Sequence, residues 1–87
     1  YLTANEGDIF IFTNNGYYRS QESLNVWCKK LGEGFFRCHR SYLVNLDKVE
    51  RLSPWFSGTY NIKLKNCKDN IPVSRGNIKA LKDLLGI

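Results

Sequence analysis

The sequence predicts a mainly β fold: stacked antiparallel sheets, one covering helix, and a short helix at the C-terminal end. Three observations carry that expectation. Asp8-Ile9-Phe10-Ile11-Phe12-Thr13 has apolar side chains on both faces, as a strand covered on both sides by stacked sheets requires. Thr59-Tyr60-Asn61-Ile62-Lys63-Leu64-Lys65 alternates apolar and polar residues, the pattern of a half-exposed antiparallel strand. Only two stretches, Leu24 to Leu31 and Ile78 to Leu85, place apolar residues at helical spacing instead.

Taken in order, Tyr1-Leu2-Thr3-Ala4 reads as a strand and Asn5-Glu6-Gly7 as a turn, because Asn and Gly tolerate the backbone angles that turns demand. After the Asp8 to Thr13 strand, Asn15-Gly16 predicts a tight type I′ hairpin turn into Tyr17-Tyr18-Arg19. Leu24, Trp27, Cys28 and Leu31 then fall at i, i+3, i+4 and i+7, one helix face, expected to cover a sheet. Ser23 is the expected N-cap of that helix, and Gly32 and Gly34 end it.

From Phe35 to Leu46, the apolar anchors Phe35, Phe36, Tyr42, Leu43, Val44 and Leu46 alternate with the donors Arg37, His39, Arg40 and Asn45. Two readings stand. The segment is a rigid frame holding donors toward an anion, or a half-buried strand with Arg37, His39 and Ser41 on its solvated face and Phe36, Cys38 and Arg40 opposed. Asn45 is expected to tie down backbone. Asp47 to Leu52 continues as a strand, and Ser53 to Gly58 is a turn whose Trp55 and Phe56 either tuck against the core, the favoured reading, or form a stacking platform.

In the alternating strand that follows, Tyr60, Ile62 and Leu64 point inward, and Asn61, Lys63 and Lys65 form a basic outer face. Asn66 to Asn70 turns the chain into Ile71-Pro72-Val73, an edge or strand start because Pro72 has no N–H to donate. Ser74 is the expected N-cap of the second helix, Ile78, Leu81 and Leu85 form its packed face, and Gly86 stops it. Arg75 stands at the positive end of that helix's dipole, which is unfavourable unless an anion docks there. Its alternative is an exposed, solvated arginine.

An 87-residue chain accommodates one modest core, and 43% hydrophobic with 24% charged residues is ordinary for a folded domain. The net charge of +5 is unevenly spread. Residues 1–34 hold three cations against four acids, whereas residues 35–87 hold ten against four, so any anionic partner belongs to the later part. Cys28, Cys38 and Cys67 are an odd number without CxxC spacing, which points to reduced thiols in the cytoplasm and away from a disulfide framework or zinc site. No run of apolar residues approaches a membrane span, and the absence of Met leads us to expect a piece of a longer protein. With one histidine and no Ser-His-acid or paired-carboxylate pattern, neither an enzyme nor a cofactor site is expected.

Arg37-Cys38-His39-Arg40-Ser41-Tyr42-Leu43-Val44-Asn45, followed by Val73-Ser74-Arg75, resembles the two sequence boxes of the LytTR family of bacterial DNA-binding domains. Ser23-Leu24 and Phe35 also fall where that family has a helix start and an aromatic. Gly76 departs from the larger residue usual after Ser-Arg, and the family's first strand looks clipped at Tyr1. The resemblance implies about ten short strands in stacked antiparallel sheets. It implies that residues 1–87 are one DNA-binding domain, the C-terminal part of a cytoplasmic response regulator with an N-terminal receiver domain. Such domains bind promoter direct repeats through loops entering successive major grooves, and a dimer on DNA is expected. Carried over by position, the DNA contacts are Asn5 and Glu6 in the first turn, His39 and Arg40, and Arg75 and Asn77 with Lys79 one turn on.

Two rival functions remain from the residues alone. One is a single-strand or RNA-binding β module stacking bases on Tyr17, Tyr18, Trp55 and Phe56, and the other is a protein-interaction domain with incidental basicity.

Overall fold

The computed structural model describes residues 1–87 and consists of three layers with a five-stranded antiparallel sheet in the middle. That sheet contains β1 (Leu2–Asn5), β2 (Asp8–Thr13), β3 (Gly16–Ser20), β4 (Phe35–His39) and β5 (Tyr42–Asn45), in the order β3-β2-β1-β5-β4. Helix α1 (Leu24–Leu31) covers one face, burying Leu24 against Leu2, Ile9 and Leu43. Over the other face lies a three-stranded sheet of β6 (Val49–Pro54), β7 (Tyr60–Leu64) and β8 (Asn70–Val73), ordered β6-β7-β8, with helix α2 (Ile78–Leu85). Cys38, Val44, Ile62, Leu64, Ile71, Val73 and Leu81 form the core between them. The mainly β, stacked antiparallel architecture is therefore as expected, with eight strands.

Strand β5 is the hinge of this layering. Leu43 belongs to the α1 core and Val44 to the inter-sheet core, because successive strand residues face opposite ways. This doubly covered strand is not the one that the apolar pattern of Asp8 to Thr13 pointed to. The second sheet lies over β4 and β5 and stops short of β2, so Ile9 is buried under α1 while Phe12 remains exposed, stacked between Tyr1 and Tyr17.

Local chemistry sets the element ends. The Ser23 Oγ accepts the Val26 N–H at 3.2 Å and caps α1, which terminates at Gly32 with φ 75°. Helix α2 ends at Gly86 in the left-handed region, where the Ile87 N–H reaches back to the Lys82 carbonyl at 3.0 Å. At its start the expected cap is displaced. Residues Arg75–Asn77 form a 3-10 turn, the Ser74 hydroxyl makes no capping bond, and Asn77 is the residue before α2.

The first hairpins also differ from the dipeptide reading. Thr13 pairs with Gly16, so Asn14 and Asn15 occupy the corner, and neither has the positive φ that a type I′ turn requires. The Thr13 hydroxyl fixes this register by donating to the Gly16 carbonyl and accepting the Asn15 N–H. The turn with positive φ at both central residues is Glu6 (51°) and Gly7 (88°), between paired Asn5 and Asp8. No helix is long and apolar enough to cross a membrane.

Candidate nucleic-acid interface

The Phe35 to Leu46 segment is a hairpin, and its tip is Arg40-Ser41. A bulge in β4 decides where its donors point: Phe36 pairs with Val44 but His39 pairs with Tyr42, so three residues of β4 span two of β5. Simple alternation would put Arg37 and His39 on one face. Arg37 stays on the α1 face with Phe35, its Nη1 donating to the Asn25 side chain, and the bulge instead turns His39 to the face of Tyr42, edge-on with ring centroids 5.6 Å apart.

Arg37 is thus a brace. Its Nη2 donates to the Arg40 carbonyl at 2.5 Å, fixing the hairpin tip from beneath and leaving the Arg40 guanidinium exposed. The His39 Nδ1 accepts the Ser41 N–H at 3.1 Å, closing the same turn and leaving Nε2–H as the free donor of the neutral ring. Burial, and then the nearby Arg40, hold the His39 pKa below its ordinary value.

This lowered pKa has a direct consequence for stability. Above about pH 6.5 the ring is neutral in both folded and unfolded chains, and the contribution of the turn is complete. As pH falls through the folded pKa of His39, protonation removes the acceptor at Nδ1 and that contribution is lost. Thermal melting between about pH 7 and pH 5 is expected to show a decline that His39→Gln reduces. Equal declines in the two proteins would remove His39 from the support of this turn.

Hydrogen bonds between elements bring three turns to one end of the molecule. The Ala4 N–H donates to the Ser41 carbonyl at 2.9 Å, setting the Glu6-Gly7 turn beside the Arg40-Ser41 tip. On the other side of that tip, the Cys38 carbonyl accepts two bonds, from the Ser74 N–H at 2.9 Å and from the Asn77 Nδ2 at 3.1 Å. Asn5, Glu6, Arg40, Arg75 and Lys79 are exposed, and His39 and Asn77 are half-buried. The Asn77 amide is committed to strapping the Arg75 turn to β4. Cys38 itself is fully buried, with desolvation pushing its thiol up to about 12, so it packs the core.

Three features here escaped the sequence reading. Arg37 looked like a solvated donor, whereas its bonds to Asn25 and to the Arg40 carbonyl make it a brace. Trp55 and Phe56, favoured to tuck against the core, are 52% and 73% exposed at the β6–β7 tip. Ser57 and Gly58, with left-handed φ values of 60° and 74°, turn the chain tightly just after these rings. Lys63, expected on a free basic face, donates through Nζ to the Cys67 carbonyl. Asn45 does tie down backbone, accepting the Asp47 N–H at 3.0 Å.

A cleft of about 550 Å³ opens at the opposite end, lined by Tyr1, Phe12, Trp27, Phe35 and Leu64 among others, and contains none of the expected contact residues. The aromatics of the single-strand reading form no common platform. Tyr17 and Tyr18 lie on β3 at the edge of the large sheet, and Trp55 and Phe56 lie at the tip of the small one.

Three turns, two of them carrying an exposed arginine, are thus fixed side by side at one end of a β scaffold, away from its largest cleft. The chain matches the family model described as "LytTr DNA-binding domain" over residues 1–86, and it belongs to that family of DNA-binding domains. It is 38% identical over 86 residues to the transcriptional regulatory protein YpdB of Escherichia coli K12, covering 98% of this chain and 35% of that protein. Similarity to the sensory transduction protein LytT of Bacillus subtilis is 39% over 88 residues, covering all of this chain and 36% of that protein. The chain thus spans about a third of the length of the curated relatives it matches. A solved LytTr DNA-binding domain from Bacillus cereus superposes with a TM-score of 0.88 at 25% identity, over 99% of this chain and 79% of that one.

Proposed function

We propose that this domain reads specific sequences in double-stranded DNA for transcription regulation, its three adjacent turns entering successive major grooves of promoter direct repeats. The observation that carries this reading is the row of turns secured by the Ala4 to Ser41 bond and the doubly bonded Cys38 carbonyl. Rigid placement keeps the ordering cost of binding low.

Within the row, Arg40 and Arg75 are suited to bidentate pairing with guanine, and Glu6 to accepting from cytosine N4. Asn5 and the His39 Nε2–H supply further polar contacts. Lys79 positions the domain on phosphate, and Asn77 contributes from its half-buried place chiefly by fixing Arg75. Residues 1–87 act as one domain, the C-terminal output part of a cytoplasmic response regulator with a receiver domain, binding repeats as a dimer. The names of the relatives support that setting.

Selecting duplexes from a random pool and titrating binding across salt tests the reading. A common motif should emerge, and affinity should fall with a log–log slope of about −0.9 per phosphate neutralised. A flat salt response, or single strands bound as tightly as duplex, refutes it.

A further inference from the structure

The β6–β7 tip from Trp55 to Gly58 projects two large aromatic rings that serve neither core, their centroids 5.6 Å apart. Their exposure is built in. The Trp55 N–H donates to the Thr59 carbonyl at 2.8 Å, and the Thr59 hydroxyl donates to the Phe56 carbonyl at 2.7 Å. Ser57 holds a left-handed conformation uncommon for a side-chain-bearing residue, and the rings of Trp55 and Phe56 are presented on this fixed turn.

Two further observations say what meets them. The tip adjoins the Arg75 turn: a Cβ added to Gly58 would stand 3.4 Å from the Arg75 Cδ, so the row of three turns continues into a fourth. Arg75 on that adjoining turn is an exposed cation with no ion pair or hydrogen bond inside the domain, which suits a polyanion.

We propose that Trp55 and Phe56 are a fourth DNA-contacting element, lying against deoxyribose and thymine methyl groups of the duplex immediately beside the base contacted by Arg75. This rests on the DNA-binding reading above. It adds an apolar contact to a set made otherwise of polar and charged groups, and apolar side chains do meet thymine methyls and base steps in other protein–DNA interfaces.

The test uses a duplex enriched from a random pool by the unmodified chain. Trp27→Phe leaves Trp55 as the sole indole, and acrylamide quenching of its emission should fall on adding that duplex. Should Trp27→Phe fail to fold, the unmodified chain serves, because Trp27 is half-buried and exposed Trp55 accounts for most of its quenching. The Trp55→Ala/Phe56→Ala chain should melt normally, bind about tenfold more weakly and keep its salt slope, since no phosphate contact is lost. Unchanged quenching with the duplex still bound, or unchanged affinity of the double variant, overturns the proposal while leaving the DNA reading intact. So does a finding that the double variant only dissolves a dimer of this chain. If the unmodified chain binds no duplex, both fall together.

Discussion

Arg75→Ala is expected to cost roughly 1–3 kcal/mol on the preferred duplex, about 5- to 150-fold in affinity, and to relax preference at one base position. The side chain is exposed and makes no hydrogen bond or ion pair within the domain, so its removal should leave melting within the small range of surface substitutions. Lys65→Ala is the matched control. Lys65 lies beyond the far end of β7, at the cleft that holds none of the proposed contacts, and its loss should leave site preference unchanged. Lys63 is a poor control because its ammonium is bound to the Cys67 carbonyl. Equilibrium binding to the selected duplex and to single-base variants decides the matter. A normally folded Arg75→Ala chain with unchanged affinity and preference would shift the reading role to His39 and Arg40.

Leu81→Ala should produce the largest loss of stability, about 2 to 5 kcal/mol. Leu81 is fully buried in the inter-sheet core, and truncation leaves a cavity that β4, β7 and β8 cannot close without moving paired backbone. A domain of this size has little stability to spare, so the urea midpoint should fall markedly. Leu84→Ala, three residues on but 57% exposed, should change it by no more than about 0.5 kcal/mol. Equal effects from the two would mean that α2 is not packed as described.

Much of this fold was legible because its signals are local. The spacing of Leu24, Trp27, Cys28 and Leu31, the Ser23 cap and the alternation of Tyr60, Ile62 and Leu64 each depend on residues within a turn or a strand of one another. The family boxes cover two of the three turns, and the Asn and Gly of Asn5-Glu6-Gly7 marked the other. What stayed hidden depends on pairing between distant residues. The bulge that separates Arg37 from His39 exists only in the register of β4 against β5, and the commitment of the Asn77 amide only in its meeting with Cys38, 39 residues away in the chain. The exposure of Phe12 likewise depends on where the second sheet stops, which no pattern inside Asp8 to Thr13 records.

The Cys38 carbonyl, with two donors from the Arg75 turn on one oxygen, ties the Arg40 and Arg75 turns together as a caliper of fixed jaw width. Arg75 cannot slide relative to Arg40 without breaking both bonds. On the proposed contacts, inserting one base pair between the bases that Arg40 and Arg75 touch moves them apart by about 3.4 Å, a change that the protein has no joint to follow. The duplex must absorb it by bending or untwisting, so flexible steps between the two contacted bases should be tolerated where stiff ones are not. On those proposed contacts, spacer composition becomes part of the recognised sequence, although no side chain touches it.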